Sequence, residues 1–293
     1  MLDFRTETFI TVCETMNFTK AAELLNITQP AVSQHIRFLE EEYQVKLFVF
    51  SGRKMKLTES GKKLLDVFLT MKQDEKVLKE QLPDHKHEKK ITFGATLTVG
   101  EFIIPKQIAK YIKDHPSIQL KMMVANTSEL LAELKSGAID FAIVEGYFTK
   151  GEYDYRLYST EKYIAVCAKD HLFQGKPSEL KDLFNETIIL REAGSGTREI
   201  LEKSLEGKNY TLRDFKNCIE ISNLNTIKYL AGEDCGITFL YEAAVKTELE
   251  KGYLKEIELQ DFNVKHDITF IWRKNSYFSP YYEELFQQLK QEN

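Results

Sequence analysis

Apolar positions at the start of the chain recur at helical spacing in short bursts, then give way to a strand-like period. Leu2, Phe9, Cys13 and Met16 fall on one helical face. The tripeptide NFT interrupts them, and Thr19 stands where it can cap a second helix running through Leu25. Asn26, a residue that tolerates left-handed backbone, ends that helix. Thr28 caps a third, with Pro30 in its first turn, where a missing N–H costs little. Two short helices about a tight turn make a helix-turn-helix. The stretch KLFVFSGRKMKLTESG then reads as two strands around Ser51 and Gly52, a wing with Arg53, Lys54 and Lys56 near its tip.

A longer helix is predicted over 58–82. Leu57, Gly61, Leu64, Phe68, Met71, Glu75, Leu78 and Leu82 alternate by fours and threes, the spacing of a coiled-coil seam. Gly61 and Glu75 fit that seam poorly, and a seam against the chain's own domain has the same spacing. PDHKHEKK, residues 83–90, breaks the helix and reads as a hinge. From Ile91 onward strand-like runs such as ITFGA, IQLKMMVAN, AIDFAIVEG, EKYIAVCAK and ETIILRE alternate with helical ones. That predicts an α/β region with mostly parallel sheets. Its length suits two subdomains with a cleft between them. The expected division is 1–57 for a winged helix-turn-helix, 58–82 for a linker helix and 83–90 for the hinge. Residues 91–293 follow, with subdomain I at about 91–162 and 267–293 and subdomain II at about 163–266.

In the third helix, Val32, Ile36 and Leu39 face inward, while Gln29, Ser33 and Arg37 lie four apart on the opposite face, with Pro30 and Gln34 beside them. Amides, a hydroxyl and a guanidinium near a helix N-terminus match base edges and phosphates in a major groove. An ordinary amphipathic helix with a polar outer face has the same pattern. Charge adds a small hint. The chain carries a formal −5, but residues 1–90 hold fifteen Lys and Arg against fourteen Asp and Glu, the remainder 25 against 31. The first part is therefore the better polyanion binder.

Ligands of open α/β sheets collect beyond the carboxyl ends of the strands, near helix N-termini. Three such ends are polar here: Thr96 and Thr98 after the first strand, Asn126, Thr127 and Ser128 after the second, and Ser195 and Thr197 within REAGSGTRE. Exposed N–H groups and the positive helix end favour a small anion held by uncharged donors. Each stretch taken alone also fits a plain N-cap, and Arg198 fits an ion pair as well as an anion contact.

No Walker loop, nucleophile elbow, zinc-protease motif or strand-first dinucleotide fingerprint is present, so no catalytic set, cofactor or metal is expected. His85 and His87 lack a third ligand in sequence, and four scattered cysteines suit a reducing cytoplasm. No apolar run is long enough for a membrane span, and the N-terminus lacks a basic leader. The rival expectation is a two-lobed solute-binding protein or a dehydratase-like enzyme with a fused N-terminal module, for which Glu145 is the acid to nominate.

The chain resembles the LysR-type transcriptional regulators along essentially its whole length. FTKAAELLNITQPAVSQHIRFLEEE is similar to that family's signature, and KLF with SGRKMKLTESG to its wing and the start of its linker helix. The resemblance implies that Gln29, Pro30, Ser33 and Gln34 face the groove of double-stranded promoter DNA, with Arg53 and Lys54 on its backbone. It also implies a periplasmic-binding-protein-like effector domain of two subdomains joined by crossover strands, with Thr96 and Thr98 as ligand donors and Asn126 as a polar contact. A cytoplasmic activator, dimerised through the linker helix and paired into tetramers, is the implied assembly. REAGSGTRE resembles a stretch of the branch that regulates sulfur assimilation and carbon fixation, whose effectors are small anions or phosphorylated metabolites. Two departures stand out: Phe50 occupies a wing position where the family usually has arginine, and Ala193 replaces a proline.

Overall fold

The computed structural model describes residues 3–52, 54–82 and 90–290. Three helices come first: α1 (Phe4–Thr15), α2 (Phe18–Leu25) and α3 (Gln29–Glu42). Thr28 caps α3 by accepting from Ala31 N, and Asn26 takes the left-handed conformation after α2, as expected. The cap of α2 is Asn17 rather than Thr19: its Oδ1 accepts from Thr19 N (2.9 Å) and Lys20 N (3.1 Å). Starting the helix at Phe18 puts Thr19 inside the first turn, where its hydroxyl has no orphan N–H to meet.

Strands β1 (Phe48–Ser51) and β2 (Lys54–Leu57) pair antiparallel as the wing, and α4 (Glu59–Gln81) follows, capped by Thr58. The seam expected along α4 divides in two. Phe68 is buried in the core of the N-terminal module, edge-on to Phe9 (6.0 Å) and Tyr43 (6.1 Å). Leu64 packs with it. Gly61 belongs to the same contact, because a Cβ there would lie 2.4 Å from the Leu47 carbonyl oxygen. Farther along, Val67, Met71, Leu78 and Leu82 are exposed. The 4,3 spacing is therefore shared between an internal core and an open stripe slightly rotated from it.

The remaining strands are β3 (Lys90–Ala95), β4 (Gln119–Val124), β5 (Phe141–Val144), β6 (Tyr153–Ala168), β7 (Thr187–Leu190), β8 (Asn217–Glu220), β9 (Ile237–Tyr241), β10 (Leu254–Glu256) and β11 (Val264–Arg273). They form one sheet in the order β4-β3-β5-β11-β6-β9-β7-β8, with β10 beside β6. β3 is parallel to β4 and β5, and β7 to β8 and β9. The antiparallel pair β6 and β11 joins these two parallel sets and runs through both lobes. Helices α5 (Pro105–Asp114), α6 (Thr127–Ser136), α7 (Gly196–Glu206), α8 (Leu224–Gly232), α9 (Glu242–Glu250) and α10 (Ser279–Leu289) cover the faces. The parallel expectation holds within each lobe and fails at the crossover. Only the apolar second half of β6 was visible as a strand, because its first half, YDYRLYST, is mostly polar and partly exposed.

Helix α4 is fastened to the first lobe by buried polar groups. Asp140 accepts from Gln73 Nε2 (2.6 Å), Lys76 Nζ (2.6 Å) and Thr92 N (2.7 Å). Arg273, itself buried, donates to Asp66 Oδ1 (3.0 Å), Thr70 Oγ1 (3.2 Å) and the Lys135 carbonyl (2.6 Å). Asp74 accepts from Ser276 Oγ (2.5 Å) and Tyr277 N (2.9 Å). A movement of this lobe carries α4 with it.

Candidate functional site

Two polar constellations stand apart. The first is the outer side of α3. Val32, Ile36 and Leu39 are buried and seat the helix, which leaves Gln29, Pro30, Gln34 and Arg37 exposed and Ser33 half-buried. Gln29 Nε2 donates to Ser33 Oγ (2.9 Å), so the amide is already aligned along the helix with its oxygen free. Lys54 and Lys56 are exposed on the wing, and Phe50 is 68% exposed beside them. Arg53 lies outside the described residues, as do His85, His87 and most of the expected hinge. An exposed face of this chemistry suits a DNA groove in shape and in hydrogen-bonding capacity.

The second constellation lies where the lobes meet, and it is organised around a residue the ligand expectation omitted. Glu145, just after β5, is fully buried. Its backbone N–H donates to Thr96 Oγ1 (3.3 Å), its carbonyl accepts from Thr127 Oγ1 (2.5 Å), and its Oε1 accepts from Thr197 Oγ1 (2.8 Å). Thr96 and Thr127 come from the first lobe and Thr197 from the second, so one residue ties the two together. Close backbone approach makes this possible. A Cβ on Gly196 would lie 2.7 Å from the Glu145 carbonyl oxygen, and one on Gly146 2.8 Å from Gly196 Cα.

Burial pushes the Glu145 carboxyl above the ordinary carboxylate range, opposed by the hydroxyls of Thr197 and Thr98 and by the Arg191 guanidinium. Thr98 lies close enough to steady the carboxylate but forms no hydrogen bond of normal geometry. Ser195 is the N-cap residue of α7, yet its hydroxyl makes no capping bond and is buried without a partner. Arg191 is buried too, bidentate to Glu192 (2.8 and 2.8 Å), with Nη1 unpaired.

The six expected ligand donors thus separate by what they already hold. Thr96, Thr127 and Thr197 are spent on Glu145. Asn126 is an N-cap, its Oδ1 accepting from Glu129 N (2.9 Å) and Ser128 Oγ (2.7 Å). Thr98 and Ser195 remain unpartnered. Arg198 is engaged with Glu202 (2.8 Å) and Glu220 (2.6 Å). Sequence reasoning gave Arg191 no role, although it opens REAGSGTRE directly after a strand, which was a usable signal.

An exposed groove-reading helix, a wing, a fastened linker helix and a two-lobed domain closing on a polar site define a ligand-responsive DNA-binding protein. Family comparison agrees. Residues 5–62 match the bacterial regulatory helix-turn-helix of the lysR family, and residues 85–293 the LysR substrate binding domain. The chain belongs to the LysR family of transcriptional regulators, and it is a regulator rather than an enzyme. Its relatives include regulators named for RuBisCO and its operon. It is 30% identical to the HTH-type transcriptional regulator CysL of Bacillus subtilis, covering 90% of this chain and 89% of the relative. It is 25% identical to the RuBisCO operon transcriptional regulator of Allochromatium vinosum, covering 93% and 90%. Among solved structures, full-length LysG of Corynebacterium glutamicum with bound effector Arg superposes with a TM-score of 0.70 at 14% identity, covering 99% and 98%.

Proposed function

We propose that this regulator reads promoter DNA with the outer face of α3, in pairs, and that a small metabolite bearing an anionic group adjusts it from the cleft around Glu145. Gln29, Ser33 and Gln34 meet base edges, Pro30 packs against the groove, and Arg37, Arg53 and Lys54 meet phosphates. The open stripe of Val67, Met71, Leu78 and Leu82 on α4 supports dimerisation through that helix, because four large apolar side chains on one face are hidden only by a second helix. Two dimers pair into a tetramer, and the protein acts in the cytoplasm as an activator.

In the cleft, Thr98 and Ser195 contact the metabolite directly, while Thr96, Thr127 and Thr197 act through Glu145; Asn126 fixes the end of α6. Ligand binding changes how the lobes close. The buried links from Asp140 and Arg273 to α4 pass that change to the spacing of the reading heads. The metabolite must favour one arrangement over the other for any switching to follow.

The observation that carries this reading is the contrast between the seated inner face of α3 and its exposed polar outer face. Mobility shift against promoter fragments over a range of salt tests it. Ser33→Ala or Gln29→Ala is expected to cost about 1–3 kcal/mol of specific binding. Lys54→Ala is expected to weaken all sequences alike and to lower the log–log salt slope by about 0.9. Equal losses on promoter and random DNA for all three variants would remove the assigned roles.

A further inference from the structure

Four buried polar atoms at the lobe junction have no hydrogen-bond partner among the described residues: Glu145 Oε2, Arg191 Nη1, Thr98 Oγ1 and Ser195 Oγ. They belong to one neighbourhood. Gly196, next to Ser195, abuts the Glu145 side chain, and Thr98 and Arg191 both act on its carboxylate. Leaving such groups unpaired is costly, so a concentration of them at one place points to a missing molecule.

The four are of two kinds. Glu145 Oε2 is an acceptor without a donor. Arg191 Nη1 is a donor without an acceptor, and the two hydroxyls have free bonding capacity beside it. Charge narrows the choice. Arg191 is already paired with Glu192 along its other edge; burial pushes Glu145 toward its neutral form, and a cation set against it would hold it ionised. A free dianion would satisfy Arg191 and the hydroxyls while lying against a buried carboxylate, where repulsion is poorly screened. A simple amine would satisfy Glu145 alone. A molecule with both heads offers a partner to each of the two kinds of atom.

We propose that the cleft takes a small zwitterion of amino-acid type, its ammonium on Glu145 and its acid group on Arg191, Ser195 and Thr98. This rests on the reading of the cleft as the effector site and narrows its ligand class. The Thr197–Glu145 hydrogen bond couples that ammonium contact to closure, because it joins the two lobes.

The test is calorimetric titration and thermal shift of the full chain with the common L-amino acids, taurine, sulfate, phosphate and methylammonium. At least one amino acid or taurine is expected to bind saturably and raise the melting temperature, while methylammonium, sulfate and phosphate bind far more weakly. Glu145→Gln should weaken that ligand by about thirtyfold or more, as expected when one partner of a buried charge pair is removed. The same variant should improve sulfate or phosphate binding. Glutamine keeps an oxygen that can accept from Thr197 Oγ1, so the hydrogen bond that joins the lobes can be retained. Ser195→Ala provides a second variant and should weaken the zwitterion by about tenfold.

The inference is overturned if sulfate or phosphate binds the unaltered chain while amino-bearing compounds do not. The sharpest form of that result is anion affinity that falls with rising pH in the unaltered chain but not in Glu145→Gln. Glu145 would then be a proton carrier for a free anion, and the effector cleft itself would stand. Silence from every compound, with the unaltered chain and Glu145→Gln alike, would remove both the zwitterion and the cleft as the effector site.

Discussion

The outer face of α3 and the junction around Glu145 are built from the same groups: amides, hydroxyls, a guanidinium. They differ in exposure. On α3 the Gln29–Ser33 pair and Arg37 stand in water, which serves their remaining bonds until a partner replaces it. At the junction water is excluded, and three of the six expected ligand donors hold Glu145. A surface site of this kind can wait unoccupied at little cost. A buried one must carry a substitute for its ligand or leave atoms unpaired, and this one does both.

Helix α4 lies between the two sites, and its two apolar faces give the largest expected effect. Phe68→Lys places an ammonium in the aromatic core with Phe9 and Tyr43 and should destabilise the N-terminal module by roughly 3 kcal/mol or more. Leu78→Lys, on the exposed stripe of the same helix, should leave that module folded and abolish dimers. Near-UV circular dichroism and light scattering on both variants separate the outcomes. A folded, monomeric Phe68→Lys would restore Phe68 to an intermolecular seam and undo the division of α4 described above.

Much of this was legible in the sequence. Helix-turn-helix, wing and linker helix follow from local signals such as Thr28, Pro30, Asn26 and the Ser51-Gly52 turn, because capping and turn chemistry act within a few residues. The seam along α4 was visible as a period, but a period does not say what covers it; Phe68 and Leu78 share the spacing and not the partner. Glu145 was noticed only as a candidate acid. Its actual role depends on Thr96, Thr127 and Thr197 arriving from distant strands and helices, which no window of sequence contains. The crossover strands followed from the family resemblance, but the first half of β6 did not follow from its own residues: YDYRLYST is held extended by its pairing with β11 rather than by its own alternation.

A smaller effect tests how the sites communicate. Asp140→Ala removes the acceptor shared by Gln73, Lys76 and Thr92 N and leaves Gln73, itself buried, with a lost bond. Stability should fall by about 1–3 kcal/mol. Promoter binding should persist, while its response to the cleft ligand weakens, because α4 no longer moves rigidly with the first lobe. Mobility shift with and without ligand checks this. An undiminished response would assign the coupling to the Arg273 and Asp74 contacts.

The smallest expected effect separates the inner face of α3 from the outer. His35 lies on the inner side, its ring edge-on to Phe4 at 4.8 Å and its Nδ1 2.9 Å from Thr8 Oγ1. The Thr8 hydroxyl donates its one proton to the Phe4 carbonyl (3.0 Å), so the imidazole donates through Nδ1 and any added proton goes to Nε2. Burial lowers the His35 pKa below 6.5, and Arg5 lowers it further, against the opposing pull of Asp3. A histidine that binds its proton more weakly in the folded state contributes stability that is complete above its unfolded pKa and lost as pH falls through the folded one. The N-terminal module should therefore melt progressively earlier as pH falls below about 6.5, and His35→Gln should flatten that slope. Acid sensitivity that survives unchanged in His35→Gln would shift its origin from the seat of α3 to other titrating groups of the module.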